Sequence, residues 1–226
     1  MTQELWTAVD QYINDLLVPP DSALAAALSD SAAAGLPSIN VTPNQGKLLS
    51  LLARIRGART ILEIGTLGGY STIWLARALP ADGRLITLEA NPEYADVART
   101  NITRAGVADR VDIRVGLALE TLPQLERDGL APFDIIFIDA DKVNTPGYFT
   151  WALALSRTGS VIVVDNVVRE GAVIDAADED PNVQAIRRFN EMLARESRVS
   201  ATTIQTVGSK GHDGFTLILV ERDHAS

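Results

Sequence analysis

Apolar positions change their spacing once along this chain, near residue 59. Before that point they recur at helical intervals. Leu5, Val9, Tyr12, Ile13, Leu16 and Leu17 form one such run, and Pro19-Pro20 ends it. Residues 22–34 are Ala-rich and stop at Gly35. Thr42-Pro43-Asn44-Gln45 reads as a helix start: Thr42 can cap, Pro43 suits the first helical position, and Gln45 completes a capping box. Leu48, Leu49, Leu52 and Ile55 then supply the face predicted to be buried.

After Arg59 short β-branched runs alternate with helical segments. Residues 60–65, 84–89, 110–115, 134–139 and 160–165 read as strands whose apolar runs are nearly continuous, as a parallel sheet covered on both faces requires. Residues 70–79, 92–105 and 181–196 read as helices between and after them. The second opens at Asn91-Pro92 and closes at Gly106; the third is entered through Asp180-Pro181. Residues 199–206 and 214–221 come last. The intervening 207–213 is too short for a crossover helix, so these two are expected to pair as an antiparallel hairpin. The pattern predicts one α/β domain over 1–226: a helical addition at 1–58, then a core at 59–226 with a mostly parallel, seven-stranded sheet. Trp6, Trp74 and Trp151 fall on apolar helical faces and are expected to pack.

Composition narrows the function classes. The 226 residues are 46% hydrophobic and 22% charged, enough for a sizeable core. With no cysteine, disulfides, thiolate zinc sites and cysteine nucleophiles are excluded. A net charge of −9 repels phosphate backbones and anionic membranes, which argues against nucleic-acid and membrane partners. No apolar stretch approaches the roughly 20 residues that span a bilayer. Met1-Thr2-Gln3-Glu4 lacks the basic start of a secretory signal, so a soluble cytoplasmic protein is expected.

Candidate chemistry lies at strand ends, where open α/β sheets bind ligands. The first strand runs into Glu63-Ile64-Gly65-Thr66-Leu67-Gly68-Gly69-Tyr70-Ser71. These glycines let backbone approach a ligand closely, but they lack the G-x-G-x-x-G spacing of dinucleotide enzymes. An acid two residues before the first glycine suits a positively charged amino group and does not suit a pyrophosphate. An acid inside an apolar strand also needs a partner. Glu89, ending the second strand, can accept hydrogen bonds from both hydroxyls of a ribose. Two later strands end in Asp139-Ala140-Asp141-Lys142 and Asp165-Asn166. If those strands are neighbours, Asp139, Asp165 and Asn166 converge as hard oxygen ligands for Mg²⁺, Mn²⁺ or Ca²⁺. Without a cation, the clustered carboxylates would raise one another's pKa. Lys142 is a plausible base beside a cation. Taken singly, strand-end acids can also cap helices, and a lysine can simply be solvated. Tyr148 can pack or reach a substrate. His212 and His224 lie in polar surroundings and are expected to face solvent.

On these motifs the chain resembles the cation-dependent O-methyltransferases of the caffeoyl-CoA and catechol type, from about Thr42 to the C-terminus. Ala105-Gly106-Val107 and Gly116-Leu117-Ala118 add to the match. The resemblance implies a Rossmann-like fold that binds S-adenosylmethionine. Glu63, Gly65 and Thr66 would line its methionine and nucleoside portions, Ser71 its carboxylate, Glu89 its ribose and Ala118 its adenine, with Val41 in backbone contact with the methionine end. Asp139 would belong to both the cofactor and the cation site, Asp165 and Asn166 would complete the latter, and Lys142 would be the base. The implied acceptor is a small phenol with vicinal hydroxyls, and homodimers are usual in the family. Two positions depart from it. Arg169 stands where the family often has an aromatic residue and Thr145 where it often has tyrosine, both on the family's substrate side. The acidic loop 169–181, with Asp175, Asp178, Glu179 and Asp180, disfavours a CoA tail.

Other functions remain as expectations to be tested. The same chemistry on an RNA hydroxyl is opposed by the acidic balance. A nucleotide-dependent oxidoreductase is opposed by the glycine spacing, and a non-catalytic binding module by a base set beside a metal site.

Overall fold

In the computed structural model, which describes residues 2–223, the β-branched runs pair as expected. β1 (Thr60–Ile64), β2 (Arg84–Glu89), β3 (Val111–Val115), β4 (Ile135–Ile138) and β5 (Val161–Asp165) are parallel. β6 (Val199–Gly208) and β7 (Gly211–Val220) form an antiparallel hairpin, and β7 pairs antiparallel with β5. The order is β3-β2-β1-β4-β5-β7-β6. Strand order therefore reverses between β1 and β4, whose carboxyl ends define the crevice where such sheets bind ligands.

Alternate residues of each buried strand feed two apolar layers. Leu62, Ile64, Ile86, Ile136 and Ile138 face α6 (Ala118–Arg127), α7 (Thr145–Ala154) and α8 (Pro181–Arg195), where Phe149 and Phe189 meet edge to face at 5.3 Å. Ile61, Leu85, Phe137 and Val163 face α2 (Ser22–Ala33), α3 (Pro43–Arg56), α4 (Tyr70–Ala78) and α5 (Pro92–Arg104).

The first helices depart from the periodicity. α1 (Gln3–Leu17) buries none of its residues: Leu5, Val9, Tyr12, Leu16 and Leu17 are all exposed. It is tied to the hairpin by Gln3 Nε2 donating to the Gly208 carbonyl (2.8 Å) and by the Ser209 N–H donating to Asp10 Oδ2 (2.7 Å). On α3, Ile55 is 81% exposed, against expectation. The buried stripe is Gly46, Leu49 and Ala53, because α4 packs so closely that the Trp74 ring lies against Gly46. Leu49 is buried as predicted and Leu48 and Leu52 are half-buried, while the small residues Gly46 and Ala53 complete the stripe in place of Ile55. The capping box is half formed. Thr42 Oγ1 accepts the Gln45 N–H at 3.3 Å, but the Gln45 side chain leaves the cap for β5. The hairpin strands extend beyond 199–206 and 214–221, leaving only Ser209-Lys210 as the turn. Trp6, Trp74 and Trp151 are each half-buried.

A polar cluster locks the amino ends of the strands. Asp134, its side chain 3% exposed, accepts from Arg157 Nη2 (2.6 Å), Arg56 Nη2 (3.2 Å) and the N–H groups of Arg59 (2.8 Å) and Thr60 (3.2 Å). Burial raises its pKa, but the Arg59 and Thr60 N–H groups and Arg157 outweigh that and hold the carboxyl below its usual range. A depressed folded pKa gives stability that is present above the unfolded value of about 3.9 and lost as pH falls through the folded value. Asp134→Ala should cost about 3 kcal/mol in urea unfolding at pH 7, and less below pH 3. Equal losses at both pH values would contradict this role.

Candidate active site

A cavity of about 1190 Å³ opens at the carboxyl ends of β1, β2 and β4, roofed by Leu36–Val41 and the Leu117–Glu120 turn. It exceeds what one drug-sized ligand requires.

The floor is the turn after β1. Gly65 has φ +101°, Leu67 +50° and Gly69 +83°, so the chain reverses sharply into α4. A Cβ on Gly65 would stand 2.1 Å from the Asp139 carbonyl oxygen, so β1 and β4 can come this close only with glycine there. Buried Asn101 supports the turn by donating Nδ2–H to the Gly68 carbonyl at 2.9 Å. Glu89 accepts the N–H groups of Leu67 (2.8 Å), Asn91 (2.9 Å) and Thr66 (3.2 Å). A carboxylate has about four acceptor sites, so these contacts leave about one for a ligand.

Val41, Gly65, Thr66, Ser71, Glu89, Ala118, Asp139, Lys142 and Asn166 all line this one cavity. Glu63 and Asp165 are buried and are not among its lining residues. Glu63 is fully buried; its Oε2 accepts from Thr87 Oγ1 (2.7 Å) and Thr72 Oγ1, while Oε1 has no partner. Burial pushes its pKa up to about 7, against the hydroxyls of Thr72, Ser71 and Thr87. The unpartnered Oε1 and the cradle that a Cβ would fill fit a cationic amino-acid end seated on the turn.

At the next strand ends, Lys142 Nζ lies 2.8 Å from Asp139 Oδ1. Asp165 is 6% exposed; its Oδ2 accepts from Gln45 Nε2 (2.7 Å) and its Oδ1 from the Asn166 N–H (2.9 Å). Burial, and then the charge of Asp139, raise the Asp165 pKa well above the carboxylate range, as expected of clustered acids that lack a cation. Asn166 sits at φ +58°, a conformation asparagine tolerates, which turns this position into the cavity. Among the described residues no three acidic or histidine side chains group to hold a metal. Two carboxylates and an amide oxygen are donors that fit a hard divalent cation.

Other expectations shift. Thr145, at the start of α7, is 1% exposed and is not among the lining residues. Arg169 does line it. Tyr148 both packs and lines the cavity, donating its hydroxyl to Asp141 Oδ1; burial and Asp141 raise its pKa. The acids of loop 169–181 are caps and turns: Asp175 accepts the Ala177 N–H, Asp178 the Asp180 N–H, and Asp180 the Asn182 N–H at the start of α8. His212 meets Gln205 Oε1 at 3.1 Å on the hairpin, outside the cavity; His224 lies outside the described residues. No described helix is long and apolar enough to cross a membrane. Sequence reasoning missed Gln45, Asn40 and Lys210. Each reaches the site from a segment distant in sequence, and nothing in their local pattern marks them.

This sheet, glycine turn and acid-lysine cluster define a class. The chain belongs to the O-methyltransferase family, which it matches over residues 21–220. It is 54% identical to a catechol O-methyltransferase of Niastella koreensis over 221 residues, covering 98% of this chain and 100% of that one. The O-methyltransferase from Bacillus cereus, solved in complex with SAH, superposes with a TM-score of 0.96 at 61% identity, covering 97% and 100% of the two chains. The O-methyltransferase TomG from Streptomyces achromogenes, solved with SAM, gives a TM-score of 0.95 at 57% identity, with 98% and 99% covered.

Proposed function

We propose that this O-methyltransferase uses S-adenosylmethionine to methylate one hydroxyl of a small vicinal dihydroxy aromatic, with a divalent cation held by Asp139, Asp165 and Asn166. The observation that carries this reading is convergence: Asp139, Lys142 and Asn166 line the same cavity as Gly65, Ser71 and Glu89. Relatives solved with SAM and SAH, and a relative named catechol O-methyltransferase, support both ligands.

S-adenosylmethionine supplies an electrophilic methyl group on a sulfonium. A divalent cation supplies positive charge that favours the ionised form of two vicinal hydroxyls and fixes their direction. The chain's own residues position and deprotonate. The glycine turn and Ser71 seat the amino-acid end, Glu89 offers its remaining acceptor site to the ribose, and Val41 and Ala118 close over the ends. Gln45 holds Asp165 in place through its 2.7 Å hydrogen bond. Lys142, whose ion pair with Asp139 would weaken if that carboxylate held a cation, would first give up its own proton to solvent and then, as the neutral amine, accept the phenolic proton at Nζ. A phenol titrates near 10, so proton removal at neutral pH needs such a partner. The exposed apolar face of α1 is proposed to be covered by a second copy in a homodimer.

The experiment is methyl transfer from S-adenosylmethionine to catechol by the purified protein, against Lys142→Met. The variant should lose about 10²-fold or more in kcat with cofactor affinity held. Unchanged kcat would remove Lys142 as the base.

A further inference from the structure

Resting on the reading that S-adenosylmethionine fills this cavity, we infer that Asp10, on α1, is a positioning residue: it holds the β6–β7 turn so that Lys210 straps the roof at 37–40 over the methyl donor. That roof has few other fastenings. Buried Leu36 and Val41 anchor its two ends. Between them, the Ile39 N–H donates to the Pro37 carbonyl and Asn40 Nδ2 donates to the Val41 carbonyl, both within the segment. Among the described residues, one hydrogen bond ties 37–40 to the rest of the chain. It comes from Lys210, whose ammonium donates to the Asn40 carbonyl. Both residues line the cavity, although 170 positions separate them in sequence. Lys210 is also close enough to Asp139 and Asp165 to feel their charge. The bridge therefore runs from the acidic strand ends to the segment beside Val41.

Lys210 owes its place to its neighbours. Its turn, Ser209-Lys210, has a glycine on each side, and Gly211 sits at φ +93°. Glycines there leave the tip of the hairpin free to pivot. Further down, the hairpin is fixed: Asp213 Oδ1 accepts the N–H groups of Val168 (3.0 Å), Arg169 (3.0 Å) and Gly214 (2.9 Å), lacing β7 to the turn after β5. The tip itself is gripped from α1. The Ser209 N–H donates to Asp10 Oδ2 at 2.7 Å, and Gln3 Nε2 donates to the Gly208 carbonyl at 2.8 Å. The fit is close, since a Cβ on Gly208 would stand 2.5 Å from Asp10 Oδ2. α1 buries none of its own residues, so its tie to the hairpin rests on these polar contacts.

Asp10 is not among the residues that line the cavity, so its effect reaches a ligand through Ser209 and Lys210. A carboxylate that accepts the N–H one residue before Lys210 sets the direction in which that lysine leaves the turn. The strap must part for a ligand to leave, and each hydrogen bond that holds it shut slows the departure.

The test is the rate at which S-adenosylhomocysteine leaves the whole protein, followed by surface plasmon resonance. Asp10→Ala and Lys210→Met should each speed release by about fivefold or more, the size of one such hydrogen bond. Asp10→Asn should keep the unmodified rate, since its amide oxygen still accepts the Ser209 N–H. Gly208→Ala, which pushes Asp10 off the turn, should also speed release, and should add nothing beside Asp10→Ala. The double variant Asp10→Ala with Lys210→Met should release no faster than Lys210→Met alone, because one route carries both effects. Unchanged release in Asp10→Ala, or effects that multiply in the double variant, overturns the inference. So does an Asp10→Asn rate equal to that of Asp10→Ala. Failure of S-adenosylhomocysteine to bind the unmodified protein overturns the methyl-donor reading itself.

Discussion

Asp165→Ala is expected to lower catechol turnover by about 10³-fold or more while S-adenosylmethionine still binds. Positive charge at the acceptor oxygens contributes several kcal/mol to the transition state, and each 1.36 kcal/mol is tenfold in rate. Asp165 is one of two carboxylates available to hold that charge, and it is not among the residues that line the cofactor's seat. The fold should tolerate its loss. In the absence of a cation Asp139 and burial already work against the ionised carboxylate. Asp165→Asn keeps an oxygen for the Gln45 amide at 2.7 Å and removes the charge. Its thermal midpoint in EDTA should therefore be no lower than that of the unmodified protein, while its turnover falls. A variant that loses stability and activity together would show that Asp165 serves the fold first. Isothermal titration with S-adenosylmethionine, thermal unfolding in EDTA and initial rates separate the two.

Gly65→Ala should have an effect of comparable size by another route. The new Cβ would meet the Asp139 carbonyl oxygen at 2.1 Å, and the residue would be strained at φ +101° besides. The contact is backbone on both sides, so no side chain can swing away. Relief requires β1 and β4 to part, which disturbs the Asp139 N–H to Ile64 carbonyl bond (2.9 Å) and the Gly65 N–H to Leu88 carbonyl bond (3.0 Å). Those bonds hold the glycine turn and Asp139 in register. Affinity for S-adenosylmethionine should fall by about 100-fold and stability by about 2–4 kcal/mol. Gly106→Ala is the comparison: its φ is +70°, but nothing lies within 4 Å of the added carbon. It should cost only about 1–2 kcal/mol and leave binding intact. Equal losses in the two variants would locate the effect in backbone strain rather than in the β1–β4 approach.

The sequence showed what is local. Strand ends were legible because β-branched runs stop at acids, so Asp139 and Asp165-Asn166 could be paired before their strands were known to be neighbours. Glu63 was conspicuous as an acid inside an apolar run, but periodicity does not say which side of a cavity wall a buried group occupies. Ile55 and the α1 face misled because apolar spacing reports what a helix could bury, not whether this chain covers it. Gln45 was read as half of a capping box since that partner is three residues away; its actual partner, Asp165, is 120 residues away. Thr145 was placed toward the substrate by analogy, and the first turn of α7 buries it. Lys210 became part of the site only when the hairpin strands ran two to three residues past their apolar cores and carried the turn over the cavity. Tertiary contact decided each of these positions, and local pattern carries no information about it.

Asp139, Asp165 and Asn166 are proposed to hold a divalent cation that the reaction requires. The most direct test is the initial rate of catechol methylation after exhaustive treatment with EDTA, followed by titration with Mg²⁺. The rate should fall to background and return saturably with added metal, with S-adenosylmethionine bound throughout. A rate indifferent to both treatments would contradict the claim.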